Sequence, residues 1–300
     1  RVKPTFFYGL SMPDAITPLA NRRLALTLAS SKLGFNVHAG FLDGLLREAG
    51  LTPGHIGAAS SGSYVGGLYA AGLSIEEIRV ILSKKEMLHS FFEWKSFLRG
   101  IGMTFNLPYQ TGLISGKKVL SHLKKKIGNL QIEDCQSANL SLSVTNLTTG
   151  SAQIIKKGPL AEFIVASCSV PVLLQPQNIA GSLYCDGAVT DSSPFHHFLD
   201  NQEIECILVH VVRHDDQETI HRGPLTIAKV FAHSHQIITD RFLDLSLESA
   251  SLQGKKVVVL TSVVPRFRWM HPGAPAILFE AGRQTVRNNR NVLKEIAAST

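Results

Sequence analysis

A serine that could act as a nucleophile lies where a short apolar run turns into a predicted helix. The sequence Ala58-Ala59-Ser60-Ser61-Gly62 is close to the GxSxG pattern, with alanine in the first glycine position. At such a turn the serine hydroxyl stands above the sheet edge, and the N–H of the next residue points to where an acyl oxyanion forms. The same string also suits an ordinary helix N-cap. Ser60 alone therefore leaves both interpretations open.

A candidate base for this serine lies much later in the chain, at Asp186. The sequence Tyr184-Cys185-Asp186-Gly187-Ala188 indicates a strand that ends in a turn. An Asp-Gly pair is most often a turn and nothing more, because glycine tolerates positive φ. A carboxylate held in a dry pocket can nevertheless accept the proton of a serine hydroxyl. Asp186 is therefore a candidate general base.

A third feature is the loop from Ala29 to Gly34, between the first predicted strand and its helix. Backbone N–H groups at such a junction can stabilise an oxyanion. The candidate donors are Ser30, Ser31, Lys32, Leu33 and Gly34. The alternative is a plain strand-to-helix loop with a serine cap.

Strand-like and helix-like stretches alternate along the chain, which predicts an α/β fold with a mostly parallel sheet covered by helices. Apolar runs predict strands at 23–28, 56–59, 140–144, 152–155, 204–212 and 255–264. Periodic stretches predict helices at 35–49, 116–127, 160–169, 225–252 and 274–298. Ser74 and Glu77 form a capping box, so a further helix should begin at Ile75. No repeat or linker interrupts the pattern, which predicts one domain over residues 1–300.

The segment from Glu86 to Tyr109 is rich in aromatic and other large apolar residues without clean periodicity. One interpretation is a lid or a loop that touches a membrane. The other is a satellite hydrophobic cluster beneath a long loop. The pattern leaves both open.

Taken together, these motifs resemble the patatin-like phospholipases over about Leu24 to Val212. Further sequence segments support the resemblance. They are Val144-Thr145-Asn146, the small-residue stretch before Pro171, and Asp186-Gly187-Ala188, which matches the family's DG[GA] motif. The resemblance implies a three-layer fold, a central mostly parallel sheet flanked by helices, and a catalytic Ser–Asp dyad. It assigns Ser60 as nucleophile and Asp186 as general base, with Gly62 and Gly187 as motif glycines. It also implies an oxyanion hole built from Ser61 and the residues from Ser30 to Gly34.

The expected activity is that of a serine esterase that cleaves lipid esters as a phospholipase A or lysophospholipase does, through an acyl-enzyme. The sequence departs from the family in two places, with Ala58 at the first elbow glycine and a loop whose one glycine is Gly34. Glycine adopts conformations that Ser30 and Ser31 adopt less readily. A catalytically weak or inactive lipid-binding relative, or an acyltransferase with the same dyad, therefore remains an alternative.

Four of the histidines after Asp186 formally allow a Ser-Asp-His triad, namely His196, His197, His210 and His214. His196 and His197 follow the Asp-Gly turn too soon for a separate loop, and His210 lies inside an apolar strand. The dyad is therefore favoured. No thiol or carboxylate pattern completes a metal site around the histidines, and we expect neither a metal nor another cofactor.

Composition sets the remaining limits. Apolar residues make up 44% and charged residues 18% of the 300 residues, which is typical of a globular protein. The formal charge of +7 is dispersed in small lysine clusters, without a nucleic-acid-binding motif. Such a surface either attracts anionic phospholipids, allowing transient membrane contact, or simply keeps the protein soluble. Nucleic acid is therefore not an expected partner, and a lipid ester is.

The four cysteines show no CxxC pairing, which favours buried free thiols and a reducing compartment. Neither a secretory signal nor a run of the ~20 apolar residues that a membrane span needs is visible. The expected location is thus cytoplasmic or peripheral at a membrane.

Overall fold

The computed structural model describes residues 23–32, 34–91, 93, 95–108, 110–214, 227–252, 255–265 and 273–299. The strands are β1 Leu24–Leu28, β2 His55–Ala58, β3 Gly112–Ile114, β4 Asn139–Asn146, β5 Ser151–Ile155, β6 Val172–Leu174, β7 Gln177–Ile179, β8 Ser182–Asp186, β9 Cys206–His214 and β10 Lys256–Val264. The helices are α1 Phe35–Arg47, α2 Ser61–Ala70, α3 Ile75–Ser83, α4 Lys85–Ser90, α5 Ser96–Thr104, α6 Lys117–Ile127, α7 Leu160–Ser167, α8 His196–Leu199, α9 Ile227–Leu252, α10 Ala274–Asn288 and α11 Arg290–Ser299.

The main sheet has the strand order β10-β9-β1-β2-β4-β8-β7, and β5 also pairs with β4. The pairs from β10 to β4 are parallel, whereas β4 pairs antiparallel with both β5 and β8. The predicted α/β fold with a mostly parallel sheet is confirmed, and the strands predicted at 140–144 and 152–155 form the hairpin of β4 and β5. The capping box at Ser74 and Glu77 is also present at the start of α3.

Strand β1 lies in the middle of the core and is buried on both faces. Leu24, Leu26 and Leu28 pack into the larger hydrophobic cluster, with α1 and α2, while Ala25 packs on the opposite side with Ile207. Burial on both faces is characteristic of parallel strands covered by helices. It explains why β1 is a continuous apolar run rather than an alternating one.

Strand register brings the two chemical motifs to one edge of the sheet. Ala58, at the end of β2, pairs with Leu142 of β4, and Ser60 follows two residues later. Two residues beyond Leu142, Val144 pairs with Asp186 at the end of β8. The nucleophile candidate and the base candidate therefore leave the two strands that flank β4 at the same level.

The C-terminal region differs from its prediction as one helix. It forms α10 and α11, separated at Asn289. The side-chain amide of Asn289 donates to the Thr285 carbonyl at 2.8 Å, which is the acceptor that its backbone N–H would use in a continuous helix. The backbone N–H donates to Val286 instead, at 3.1 Å.

Among the residues that the structure describes, the aromatic segment from Glu86 to Tyr109 does not form a hydrophobic cluster buried beneath a loop. Phe91 packs against the core, but Phe97 is 75% exposed and Phe105 is 73% exposed. Phe92 and Trp94 lie outside the described residues. The segment includes α4 and α5, and α5 presents apolar side chains to solvent.

Candidate active site

Ser60 occupies a strained turn between β2 and α2. Its backbone angles, φ of 53° and ψ of −121°, lie in a region that residues other than glycine rarely adopt. Its residue surface is 7% exposed. Gly62 is required by close packing, because a Cβ there would lie 2.1 Å from the Leu28 carbonyl oxygen. Small residues after Ser60 thus let α2 approach β1 closely.

Two residues that the sequence analysis did not single out hold the backbone of Ser60. The Ser60 N–H donates to Ser167 Oγ at 3.0 Å, and Cys168 Sγ donates to the Ser60 carbonyl at 3.1 Å. Ser167 in turn donates to the Ser143 carbonyl at 2.7 Å. These bonds connect the strained turn to the end of α7 and to β4, and the small-residue stretch before Pro171 was their only sequence signal.

Asp186 is buried at the end of β8, with 2% of its surface exposed. Its Oδ1 accepts the N–H of Ala188 at 2.8 Å. Burial raises the pKa of Asp186 to about 7, and the nearby Ser60 hydroxyl and the Ala188 N–H offset part of that rise. Gly187 is required here because a Cβ would lie 2.4 Å from the Ser143 carbonyl oxygen.

Ser60 and Asp186 line the same cavity, whose volume is about 170 Å³. Within the described residues, Asp186 Oδ2 has no hydrogen-bond partner of standard geometry. The Ser60 hydroxyl is nevertheless close enough to lower the pKa of Asp186. We interpret the pair as adjacent but not tightly bonded, an arrangement found in enzymes whose catalytic hydrogen bonds shorten when substrate binds.

The loop after β1 forms another wall of this cavity through Ser30, Ser31 and Lys32. None of these three residues has a positive φ, so the loop conformation does not require glycine at their positions. The Ser30 N–H donates to the Ser192 carbonyl at 2.7 Å and is therefore occupied. Leu33 lies outside the described residues.

The Ser61 N–H is the other candidate donor. Ser61 is the first residue of α2, so its N–H has no acceptor within the helix. Its hydroxyl lies 2.9 Å from Ser31 Oγ, which joins the start of α2 to the loop. Neither this bond nor the contact between Ser30 and Ser192 was predicted from the sequence.

The remaining cavity wall is mostly apolar. Aliphatic side chains come from three segments, and α9 adds polar groups beside Leu243. The aliphatic residues are Val170, Pro171, Ala188, Val189, Val211 and Val212. An apolar wall beside a serine and a carboxylate suits an ester with a hydrocarbon chain.

The histidines considered for a triad lie elsewhere. His197 bonds Ser141 at 2.7 Å, and His210 bonds His38 and Ser262. His196 lines an adjoining cavity. In the described parts of the chain, none of these three histidines hydrogen-bonds Ser60 or Asp186, and the side chain of His214 is not described.

Among the described residues, no group of three or more His, Cys, Asp or Glu side chains could hold a metal ion. All four cysteines are free thiols, as predicted, and Cys168, Cys185 and Cys206 are buried. Of the helices that the structure describes, none has both the length and the apolar character of a membrane span.

Comparison with known proteins places these features in a family. The sequence profile described as patatin-like phospholipase matches residues 34–199. The chain is 30% identical to "Lysophospholipase NTE1" of Candida albicans over 212 residues, which are 68% of this chain and 14% of that protein. It is 27% identical to "Uncharacterized NTE family protein Rv1063c" of Mycobacterium tuberculosis over 178 residues, 57% of this chain and 44% of that protein.

Among solved structures, the chain resembles VipD from Legionella pneumophila. The TM-score is 0.50 with 16% sequence identity, over 91% of this chain and 67% of VipD. At this identity the likeness concerns the fold alone.

Proposed function

We propose that this chain, which belongs to the patatin-like phospholipase family, is a lipid acyl hydrolase with Ser60 as nucleophile and Asp186 as general base. The substrate class is a phospholipid, a lysophospholipid or a similar lipid ester. The chain spans 14% of the Candida albicans relative and 44% of the Mycobacterium tuberculosis relative. The similarity to these longer proteins therefore supports the substrate class and nothing finer.

One observation carries the proposal. A strained serine and a buried carboxylate, whose pKa burial raises to about 7, line the same largely apolar cavity. A general base is most effective when its pKa is close to the working pH. An isolated turn or helix cap requires neither the strain at Ser60 nor the burial of Asp186.

In the first half-reaction, Asp186 accepts the Ser60 hydroxyl proton while Ser60 Oγ bonds to the ester carbonyl carbon. The carbonyl oxygen becomes an oxyanion. When this intermediate collapses, the bond to the leaving alcohol breaks and Asp186 returns the proton to the alcohol oxygen. The acyl group is then an ester of Ser60.

In the second half-reaction, Asp186 accepts a proton from water, whose oxygen attacks the acyl carbon. The bond to Ser60 Oγ breaks, and Asp186 returns the proton to Ser60 as the fatty acid leaves. An alcohol in place of water would give acyl transfer through the same steps. The chemistry uses only side chains, backbone N–H groups and water.

The proposed oxyanion donors are the Ser61 N–H and N–H groups of the loop. Of the candidates from Ser30 to Gly34, Ser30 already donates its N–H to Ser192, so Ser31 and Gly34 are the better donors among the described residues. Losing one such donor typically costs about 3–4 kcal/mol of transition-state stabilisation. The position of the loop therefore decides between an active hydrolase and a lipid-binding relative.

We also propose that the protein meets its substrate at a lipid surface. Strand β3 pairs with β6, and α5 packs near β3 through Gly100. This region exposes an apolar rim, defined as Phe97, Leu98, Phe105, Leu107, Val172 and Leu173. Val172 directly follows Pro171, which lines the cavity, so the rim continues into the cavity along the chain.

A fluorophosphonate probe tests the nucleophile. The intact mass of the wild-type protein should increase by one adduct, and Ser60→Ala should remain unlabelled. Asp186→Asn should hydrolyse a p-nitrophenyl ester at least about 100-fold more slowly, within the range for general base catalysis. A folded wild-type protein without an adduct would favour the lipid-binding alternative, and hydrolysis without acyl transfer to added alcohol would exclude a dedicated acyltransferase.

A further inference from the structure

A continuous chain of hydrogen bonds runs from the start of α2 to α10, beneath the loop after β1. We call it the serine–histidine chain. Its members are Ser61, Ser31, His38, His210, Ser262 and Thr285. The last two residues do not line the cavity that contains Ser60, so the chain extends beyond the candidate active site.

The half near the cavity joins the loop to the sheet. Ser61 Oγ lies 2.9 Å from Ser31 Oγ, which lies 3.3 Å from His38 Nε2. His38 Nδ1 lies 2.9 Å from His210 Nδ1. His38 is on α1 and His210 on β9, and both side chains are fully buried.

The far half ends on a backbone carbonyl. His210 Nε2 lies 2.9 Å from Ser262 Oγ, and Ser262 Oγ lies 2.6 Å from Thr285 Oγ1. The Thr285 hydroxyl donates to the Ala281 carbonyl at 3.1 Å.

Both imidazoles of the chain are neutral. Burial lowers the pKa of His38 to about 4, against a hydrogen bond to the Ala29 carbonyl that raises it, and burial holds the pKa of His210 well below its usual range. One proton lies between the two Nδ1 atoms, since two N–H groups cannot face each other at 2.9 Å. The Ser31 hydroxyl can donate or accept, so it can bond the His38 ring in either tautomer.

Packing fixes the imidazole pair in place. The His210 ring stacks on Phe41 with centroids 3.8 Å apart and an interplanar angle of 7°. The two imidazoles are nearly perpendicular, at 88°. At the loop, a Cβ on Gly34 would lie 1.8 Å from Ser31 Oγ, so Gly34 provides the space that the Ser31 hydroxyl occupies.

We propose that the serine–histidine chain positions the loop after β1 against the start of α2, and that Ser262 and Thr285 are remote positioning residues for ester hydrolysis. The catalytic part rests on the proposed function, in which this loop supplies oxyanion donors. Ser30, Ser31 and Lys32 occupy the positions where a glycine-rich loop has glycines. The conformation of such a loop is set by its backbone. Here the Ser31 hydroxyl, held between Ser61 and His38, sets the position of the loop.

Thr285 offers a matched pair of variants for the test. Thr285→Val keeps the branched shape but removes the hydroxyl, whereas Thr285→Ser keeps the hydroxyl. Ser141→Ala is the control, because it removes a part-buried serine–histidine bond that lies outside the serine–histidine chain. Two readouts are needed: amide hydrogen exchange of residues 29–34, and kcat on a p-nitrophenyl ester per site titrated with fluorophosphonate.

Thr285→Val should increase amide exchange in residues 29–34 and lower kcat by about 10- to 100-fold, the range for displaced catalytic groups. KM should remain within twofold, because oxyanion donors act in the transition state. Thr285→Ser and Ser141→Ala should resemble the wild type in both readouts.

Unchanged exchange in Thr285→Val would overturn the positioning role, whether or not Ser60 is the nucleophile. Increased exchange with unchanged kcat per titrated site would overturn its catalytic part. Equal loss of kcat in Thr285→Ser would show that shape rather than the hydroxyl matters and would also contradict the proposal. Failure of the proposed function itself would look different, because the wild type would then show neither an adduct nor turnover.

Discussion

The backbone N–H of Ala188 donates to Oδ1 of Asp186 at 2.8 Å, and within the described residues Oδ2 of the same carboxylate has no standard partner. One oxygen is therefore fixed by the turn after β8, while the other remains available for a further hydrogen bond. Burial dominates the electrostatics of this carboxylate and raises its pKa to about 7. This combination suits the proposed general base, because one hydrogen bond orients the carboxylate, and it has consequences for both activity and stability.

Activity should depend on pH through Asp186. A general base acts only when it is deprotonated, so kcat/KM should decrease as the pH falls through about 7. Below pH 6 the profile should decline about tenfold for each pH unit. The measurement is a pH profile of kcat/KM on an ester whose leaving group does not titrate between pH 5 and 9. An acidic limb near pH 4 would mean that the base is a carboxylate exposed to solvent, not Asp186.

The same burial should make Asp186 costly for folding at alkaline pH. A carboxyl group whose pKa rises from 3.8 to about 7 on folding stabilises the protein below pH 4 relative to pH 8. That stability is lost as the pH rises through 7. Asp186→Asn removes the charge and keeps an oxygen that can accept the Ala188 N–H. It should therefore increase the free energy of unfolding at pH 8 by up to about 4 kcal/mol, at 1.36 kcal/mol per pKa unit.

Denaturant unfolding at pH 8 and pH 4.5 measures this difference. The advantage of Asp186→Asn should be largest at pH 8 and should fall to about 1 kcal/mol at pH 4.5, where the unfolded chain still releases most of its Asp186 protons. Asp134→Asn is the matched control, since Asp134 is exposed and we expect its replacement to leave the free energy of unfolding nearly unchanged at both pH values. A variant that is less stable than the wild type at pH 8 would show that the charged carboxylate contributes to folding.

Close packing between Gly34 and Ser31 predicts a non-additive pair of substitutions. Gly34→Ala places a Cβ 1.8 Å from Ser31 Oγ and should displace that hydroxyl from Ser61 and His38. We expect kcat to fall about 10-fold or more, as for other displaced catalytic groups. In a Ser31→Gly background the clash is absent, so Gly34→Ala should have little further effect. A double-mutant cycle in kcat measures the coupling, and additive effects would mean that the loop does not depend on this contact.

The sequence predicted the sheet because the signals there are local and strong. The apolar run of β1, the turn at Thr148 to Gly150 and the capping box at Ser74 each determine an element from neighbouring residues alone. The break at Asn289 was missed because it depends on a side chain competing for one backbone carbonyl. Helix periodicity does not reveal such a competition.

The candidate site was predicted in part, for a similar reason. Ser60 and Asp186 lie in short motifs with recognisable neighbours, so the sequence alone predicts that the two residues lie close together. His38 and His210 are 172 positions apart and looked like ordinary residues of a helix and an apolar strand. Their contact depends on the register of β1 with β9 and on the packing of α1, which a single sequence does not specify.

The apolar rim predicts binding to lipid surfaces that depends on particular phenylalanines. Phe97 and Phe105 are each about three quarters exposed, and each aromatic side chain that enters a lipid phase contributes roughly 1.5–3 kcal/mol. Replacing both with serine should reduce partitioning into vesicles of mixed neutral and anionic phospholipid at least about tenfold. Turnover of a water-soluble ester should be unaffected, because neither residue lines the cavity.

Vesicle flotation measures the binding, with Ile277→Ser on α10 as the control, since Ile277 is exposed but lies outside the rim. If the double variant floats as well as the wild type, the dispersed positive charge rather than the rim binds the membrane, and raising the salt concentration should then release both proteins.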